Sequence, residues 1–240
     1  MISIIKLLSV ALALFNILYA DTTANLQAPT SITFQSATIA PGQCKQLLNI
    51  IDGSNAGSGL YIYKDDNTRQ LEKMVIPWLL YYTNLYRKEH GIDSLKYDPC
   101  LLKAAGYHSE YLFNESNDSR KIKLVHEEEP ESKYFTGKGP TERARKAGCE
   151  KICGENALYF TMPGLLPEEF ADKKKLNNEA KEIAHRMVYE QWDRSKGHKE
   201  NMLNADYKYF GVSASIGKRA PVNNYDEMKL VLFGVQVMAY

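Results

Sequence analysis

The sequence predicts an α+β sandwich, and three observations predict it. Apolar residues recur at helical spacing through the middle of the chain, as in Val75, Trp78, Leu79, Tyr82, Leu85 and Tyr86. Strand-like runs come late, over Tyr209 to Ile216 and Lys229 to Ala239. No glycine-rich phosphate loop joins a strand to a helix, which argues against a doubly wound sheet.

Residues 1–20 read as a signal peptide. Leu7 to Leu18 are almost wholly apolar, and Ala20 precedes Asp21, where hydrophobicity stops. The run is shorter than the ~20 residues a membrane span needs. Residues 21–70 have weak periodicity and read as a spacer or pro-segment, with strand candidates at Ile32–Phe34 and Leu60–Tyr63. Helical spacing starts at Leu71 and ends at Gly91. Asp98 then caps a second helix with Pro99 at its first position. Its stripe is Leu101, Ala104, Ala105, His108, Tyr111 and Leu112, on which His108 reads as a satisfied core histidine. Two glycosylation sequons, at Asn114 and Asn117, fall in a polar stretch expected to be an exposed loop. Glu142 to Ala147 reads as a helical turn or two closing at Gly148.

Ala157 to Thr161 leads into an apolar, proline-broken loop. Within it Tyr159, Phe160, Met162, Leu165 and Leu166 are the candidates for holding a lipid, with ordinary packing on the sheet as the alternative. Asn177 or Asn178 caps a third helix, whose stripe ends at Trp192; His185 lies off that stripe and reads as solvated. Arg87 in the first helix reads as a buried ion-pair partner. The two late strands form an antiparallel hairpin with a turn at Asn223-Asn224.

The formal charge is +1 over 240 residues, so no global field steers the chain to nucleic acid or an anionic membrane. Cys44, Cys100, Cys149 and Cys153 form an even set, which in an exported chain suggests up to two disulfides. Three connectivities are open. Cys149 and Cys153 are close enough to pair across a turn, which would leave Cys44 with Cys100.

Two fragments carry chemistry. Trp192-Asp-Arg-Ser195-Lys-Gly-His198-Lys-Glu-Asn201 sets a titratable, metal-competent ring on a loop behind an aromatic anchor, with Gly197 letting the chain turn. Gly154-Glu155-Asn156 offers a carboxylate and an amide, the amide reading as a structural hydrogen-bonder. His126 stands where Leu124-Val125 meets an acidic run and by itself reads as exposed.

The order of these pieces resembles the CAP superfamily, named for cysteine-rich secretory proteins, antigen 5 and pathogenesis-related 1 proteins, whose module is also called the SCP domain. The resemblance rests on Asn84 to Gly91, Leu95 with Asp98, Ala105 and Ser109, His126, Gly154-Glu155-Asn156, Trp192 to Asn201, and Tyr209-Phe-Gly211-Val212. It covers about residues 71–240, in the compact, bacterial-like form. It implies a three-layer α-β-α sandwich with a central antiparallel sheet and a cleft of two histidines and two acidic residues. Carried over by position, His126 and His198 are the histidines and Glu155 the first carboxylate. Ser195 stands where the second carboxylate falls, with Glu128 or Glu190 as substitutes for its charge. The cysteine-tyrosine-proline-glycine signature of many animal members is absent.

The resemblance also implies a secreted binding module for a lipid, a sterol or an extracellular protein. His126 and His198 would hold zinc or another divalent cation, with Glu155 orienting an imidazole or acting as a base. The alternative is a metal-dependent hydrolase, such as a peptidase, using the same cleft.

Overall fold

A computed structural model describes residues 60–165, 167–219 and 228–240. The expected signal peptide, Cys44, the strand candidate at Ile32–Phe34, Leu166 and the expected turn at Asn223-Asn224 lie outside the described residues.

The first element among the described residues is β1 (Ile62–Tyr63), ahead of the Leu71 boundary, and Leu60 is in the core. Helix α1 spans Asp66–Glu89 and starts earlier than its apolar stripe, because Asp65 and Thr68 form a reciprocal capping box. Gly91 follows it at φ 72°, in the left-handed region that favours glycine. After β2 (Lys96–Tyr97), Asp98 accepts the Cys100 amide at 3.0 Å and starts α2 (Pro99–Ser119). The sequons therefore sit on the last turns of α2, not on a loop. The Asn117 side chain accepts the Ile62 amide of β1 at 2.9 Å.

Helix α3 (Pro140–Ala147) closes at Gly148. Strand β3 runs over Cys153–Pro163, so most of the expected apolar loop is strand. Its alternation decides where those residues go. Phe160 and Met162 are buried on one face, and Tyr159 lies on the other against Phe233, at 5.4 Å between rings. Leu165 packs partly buried against the core. Helix α4 (Pro167–Ala171) is one short turn. Helix α5 (Lys173–Arg186) is capped by Asp172, five residues before the expected cap, and continues as a π-helical segment, Met187–Trp192. His185 is half-buried and stacks on Tyr189 at 4.7 Å between rings, so it is only partly solvated. Helix α6 (Lys196–Met202) precedes β4 (Tyr209–Arg219) and β5 (Lys229–Ala239).

β4 and β5 pair antiparallel along their full length, β3 pairs antiparallel with the far side of β5, and β1 joins the outer side of β4. β2 also adds to β4, parallel. β5 is central, and every residue from Leu230 to Ala239 is buried. Leu230, Leu232 and Met238 meet α1 and α5 on one face; Val231, Phe233, Val235, Val237 and Ala239 meet α2 and α3 on the other. This is the three-layer sandwich. On β4 the α2-facing positions are small: Gly211, Ser213, Ser215 and Gly217. A Cβ at Gly211 would stand 2.0 Å from the Leu102 amide nitrogen, so only glycine lets α2 approach this closely.

The disulfide joins Cys100 to Cys149 across 5.8 Å between Cα atoms. The pairing of Cys149 with Cys153 does not form. Cys149 follows the α3 turn and faces the start of α2, while Cys153 opens β3 with no disulfide partner among the described residues and its sulfur on the Lys151 carbonyl.

Candidate functional site

The site lies at β3, the outermost strand, which among the described residues pairs with β5 alone. Glu155 and Asn156 are neighbours, so strand alternation sends their side chains to opposite faces. Glu155 reaches the α2 and α3 layer and Asn156 the α1 and α6 layer. The strand thus joins the two halves of the cleft.

Glu155 is buried. Its Oε1 accepts from His126 Nδ1 at 3.0 Å and its Oε2 from Arg143 Nη2 at 2.6 Å. His108 Nε2 stands 3.5 Å from Oε1. Burial pushes this carboxyl up, but the His126 hydrogen bond, with His108 and Arg143 beside it, holds it below the usual range. His108 is a satisfied core histidine. Its Nδ1 meets Glu128 Oε1 at 3.0 Å and its Nε2 the Val125 carbonyl at 2.8 Å. Glu128 is buried and also accepts the Thr136 amide at 2.6 Å.

His126 lies on a segment without regular structure, and the layer behind pins that segment. Arg143 Nη2 donates to the His126 carbonyl at 3.1 Å, and Arg143 Nη1 donates to the Gly137 and Lys138 carbonyls at 3.2 and 3.1 Å. Tyr111 Oη accepts the Glu129 amide. Hydrogen bonding to Glu155 raises the His126 pKa above the ordinary histidine value, against burial and Arg143.

On the other side His198 sits on α6, not on a loop. Gly197 is helical and makes no special turn. Asn156 Nδ2 donates to the His198 carbonyl at 3.0 Å and to Gln236 Oε1 at 3.0 Å, and its Oδ1 accepts from Asn201 Nδ2 at 2.9 Å. Asn201 Nδ2 also donates to the Glu155 carbonyl at 3.2 Å, which stitches α6 to the outer edge of β3. Arg87 is fully buried, but its partners are carbonyls rather than an acid. It donates to Asp93, Met202 and Asn204 and holds the end of α6 against α1. Burial, then the nearby His126, lowers the His198 pKa.

The two cleft rings stand 6.4 Å apart between centroids at 68°. Two imidazoles are a donor pair that would suit a divalent cation, with water completing its shell. Glu155 would stand behind His126, because both its oxygens are engaged.

Ser195 caps α6 without a side-chain cap bond. Of the proposed substitutes, Glu128 joins the cluster through His108, while Glu190 pairs with Arg186 at 3.6 Å on the π segment. Asp193, the acid nearest Ser195 in the chain, bonds Tyr86 Oη and Lys199 Nζ. Arg143 was missed. It sits in a charged octapeptide, and nothing in that pattern distinguishes it from Arg145, which is exposed.

The CAP model, described as cysteine-rich secretory protein family, matches residues 80–231. Among solved structures, the chain is similar to an extracellular protein containing an SCP domain from Bacillus anthracis str. Ames. The identity is 18% and the TM-score 0.46, over 74% of this chain and 44% of that one, less than half its length. An outer surface protein of Borrelia burgdorferi is 16% identical over 75% of this chain and 97% of that one, with a TM-score of 0.38. The CAP domain of enterococcal PrgA is 12% identical over 82% and 79%, with a TM-score of 0.33. A search of curated proteins finds no match. The match to the family model spans more than half of the 240 residues and takes in His126, Glu155 and His198, and the chain belongs to the CAP, or cysteine-rich secretory protein, family.

Proposed function

We propose that the chain is an extracellular binding module whose cleft of His126, His198 and Glu155 receives a ligand rather than turning one over. One observation carries this reading: both oxygens of Glu155 are already engaged, by His126 and Arg143. A general base needs an open approach to the proton it takes and a pKa raised toward the working pH. Glu155 is buried behind His126 and Arg143 and its pKa is lowered, so it has neither. The nearby Cys153 thiol is pushed up to about 11, by burial first and then by Glu155, and is no nucleophile at neutral pH.

The Cys100–Cys149 bond supports an oxidising compartment, as does a signal peptide over residues 1–20, with a spacer between it and β1. The partner is a lipid or sterol, or an extracellular protein. Phe160 and Met162 are committed to the interior, so an apolar ligand would meet other residues. Ile122, Leu124 and Val125 lead into His126, and Ile152 leads into Glu155. All four are among the few large apolar side chains left exposed in the described residues. A divalent cation on His126 and His198 would add a positive centre able to orient a carbonyl or carboxylate of the partner.

The test is turnover and binding on one preparation. Delipidated protein is titrated with a labelled sterol, a fatty acid and Zn²⁺, and peptide and ester libraries are assayed beside the Glu155→Gln and His198→Ala variants. The expected outcome is saturable binding and no turnover that depends on either residue. Hydrolysis present in the wild type and lost in both folded variants would overturn the reading in favour of a metal-dependent hydrolase.

A further inference from the structure

We propose that Arg143 is the positioning residue of the cleft, and that it decides which nitrogen of the His126 ring is presented to a ligand. The inference rests on the reading of the cleft as a ligand-receiving site.

A single guanidinium nitrogen, Nη2, donates both to Glu155 Oε2 at 2.6 Å and to the His126 carbonyl at 3.1 Å. It therefore sets the carboxylate and the histidine backbone relative to each other. With Oε2 taken, Oε1 is left for His126 Nδ1 at 3.0 Å. The rival for Oε1 is His108 Nε2 at 3.5 Å, but that nitrogen has its own acceptor, the Val125 carbonyl, at 2.8 Å. A carboxylate only accepts, so Nδ1 of His126 must carry the proton when the ring is neutral. Nε2 is then bare, and its lone pair points away from Glu155.

Free imidazole side chains in water prefer the opposite arrangement, with the proton on Nε2. Without the clamp, His126 would offer a ligand an N–H donor. With it, His126 offers a lone pair, which suits a cation or a ligand hydroxyl or amide hydrogen. Arg143 is fully buried, and its Nε has no partner among the described residues. A buried arginine with an orphaned donor is costly for stability alone, which fits a residue placed for the geometry of its other end. Its remaining partners, the Gly137 and Lys138 carbonyls and the Glu128 carboxylate 3.7 Å from Nη1, are structural, so the test must separate the two roles.

The experiment is two-bond ¹⁵N–¹H correlation on metal-free, disulfide-intact full-length protein, read above the titration range of the ring. The expected wild-type result is a His126 ring protonated on Nδ1 and bare on Nε2. Arg143→Gln should move most of the population to the Nε2–H form while His185, outside the cleft, keeps its signals. Arg143→Lys keeps the charge but not the fork and should fall between. A purely structural arginine predicts an unchanged tautomer in any variant that folds, and that result overturns the proposal. A wild-type ring protonated on Nε2 overturns the proposal whether or not the variants fold. Zn²⁺ titration supplies the second readout, with Kd rising about 10–100-fold in Arg143→Gln, the usual effect of losing a group behind a ligand. A bare Nε2 in protein that binds no Zn²⁺, lipid or partner would instead count against the reading of the cleft and leave the clamp standing.

Discussion

Glu155 holds a negative charge where its side chain is only 2% exposed, and the neighbouring Arg143 side chain is wholly buried. Removing one partner of such a pair strands the other in a poor solvent. Glu155→Ala should therefore lower stability by about 3–5 kcal/mol, measured by denaturant unfolding; a loss near zero would mean that Arg143 finds another acceptor. The two cleft histidines shift in opposite directions. The His126 pKa is raised, so its contribution is full below its unfolded value and fades as pH rises through the folded one. His198 and Glu155 are lowered, so theirs are present above the unfolded values and fade as pH falls through the folded ones. NMR titration should show His198 losing its proton at lower pH than His126, leaving one charged and one neutral ring between the two midpoints. The reverse order would contradict the His126–Glu155 hydrogen bond.

At the scale of elements, β4 and α2 approach closely, and Gly211 is the reason. A methyl group there meets backbone, not a side chain that can swing aside: the nearest atoms are the Leu102 nitrogen and the Leu101 carbonyl carbon, at 2.0 and 2.2 Å. Gly211→Ala should cost about 1–3 kcal/mol or more, as overpacking does, read as a lower thermal midpoint; an unchanged midpoint would show that α2 can slide. The glycine was visible in the sequence as part of Tyr209-Phe-Gly-Val, but its purpose was not. The apolar stripe of α1 and the stripe and cap of α2 are legible in the sequence, as is the β4–β5 hairpin, whereas the Asp65 cap of α1 lies ahead of its stripe and is not. β3 was harder. Its apolar positions looked alike in sequence, and only pairing with β5 separates Phe160 and Met162, inside, from Tyr159 on the opposite face. In the cleft, His126, Glu155 and His198 were legible because their spacing resembles a known family. Arg143 and Glu128 were not, since a short charged segment carries no periodicity that marks which charge is buried. His108 was read as a core residue, and it is one, but its bond to Glu128 spans segments that the sequence cannot align.

At the scale of the molecule, the Cys100–Cys149 bond closes a loop that holds His108, His126 and Arg143 between its ends. A crosslink with a sequence separation of 49 residues limits the unfolded chain strongly. Replacing both cysteines by serine should cost about 2–4 kcal/mol, visible as a lower urea midpoint, and reductant should then leave the variant unaffected while it weakens the wild type. A reductant-insensitive wild type would show that the bond is not formed in solution. The same scale gives the edge of the sheet a second meaning. β3 is an outermost strand of eleven residues, and such a strand offers its unpaired backbone to any strand that comes alongside. Asn201 occupies the Glu155 carbonyl on that side, with α6 fastened over it through Asn156 and His198. One backbone acceptor of that strand, the Glu155 carbonyl, is thereby satisfied from within the molecule, which leaves one fewer unpaired group for an incoming strand.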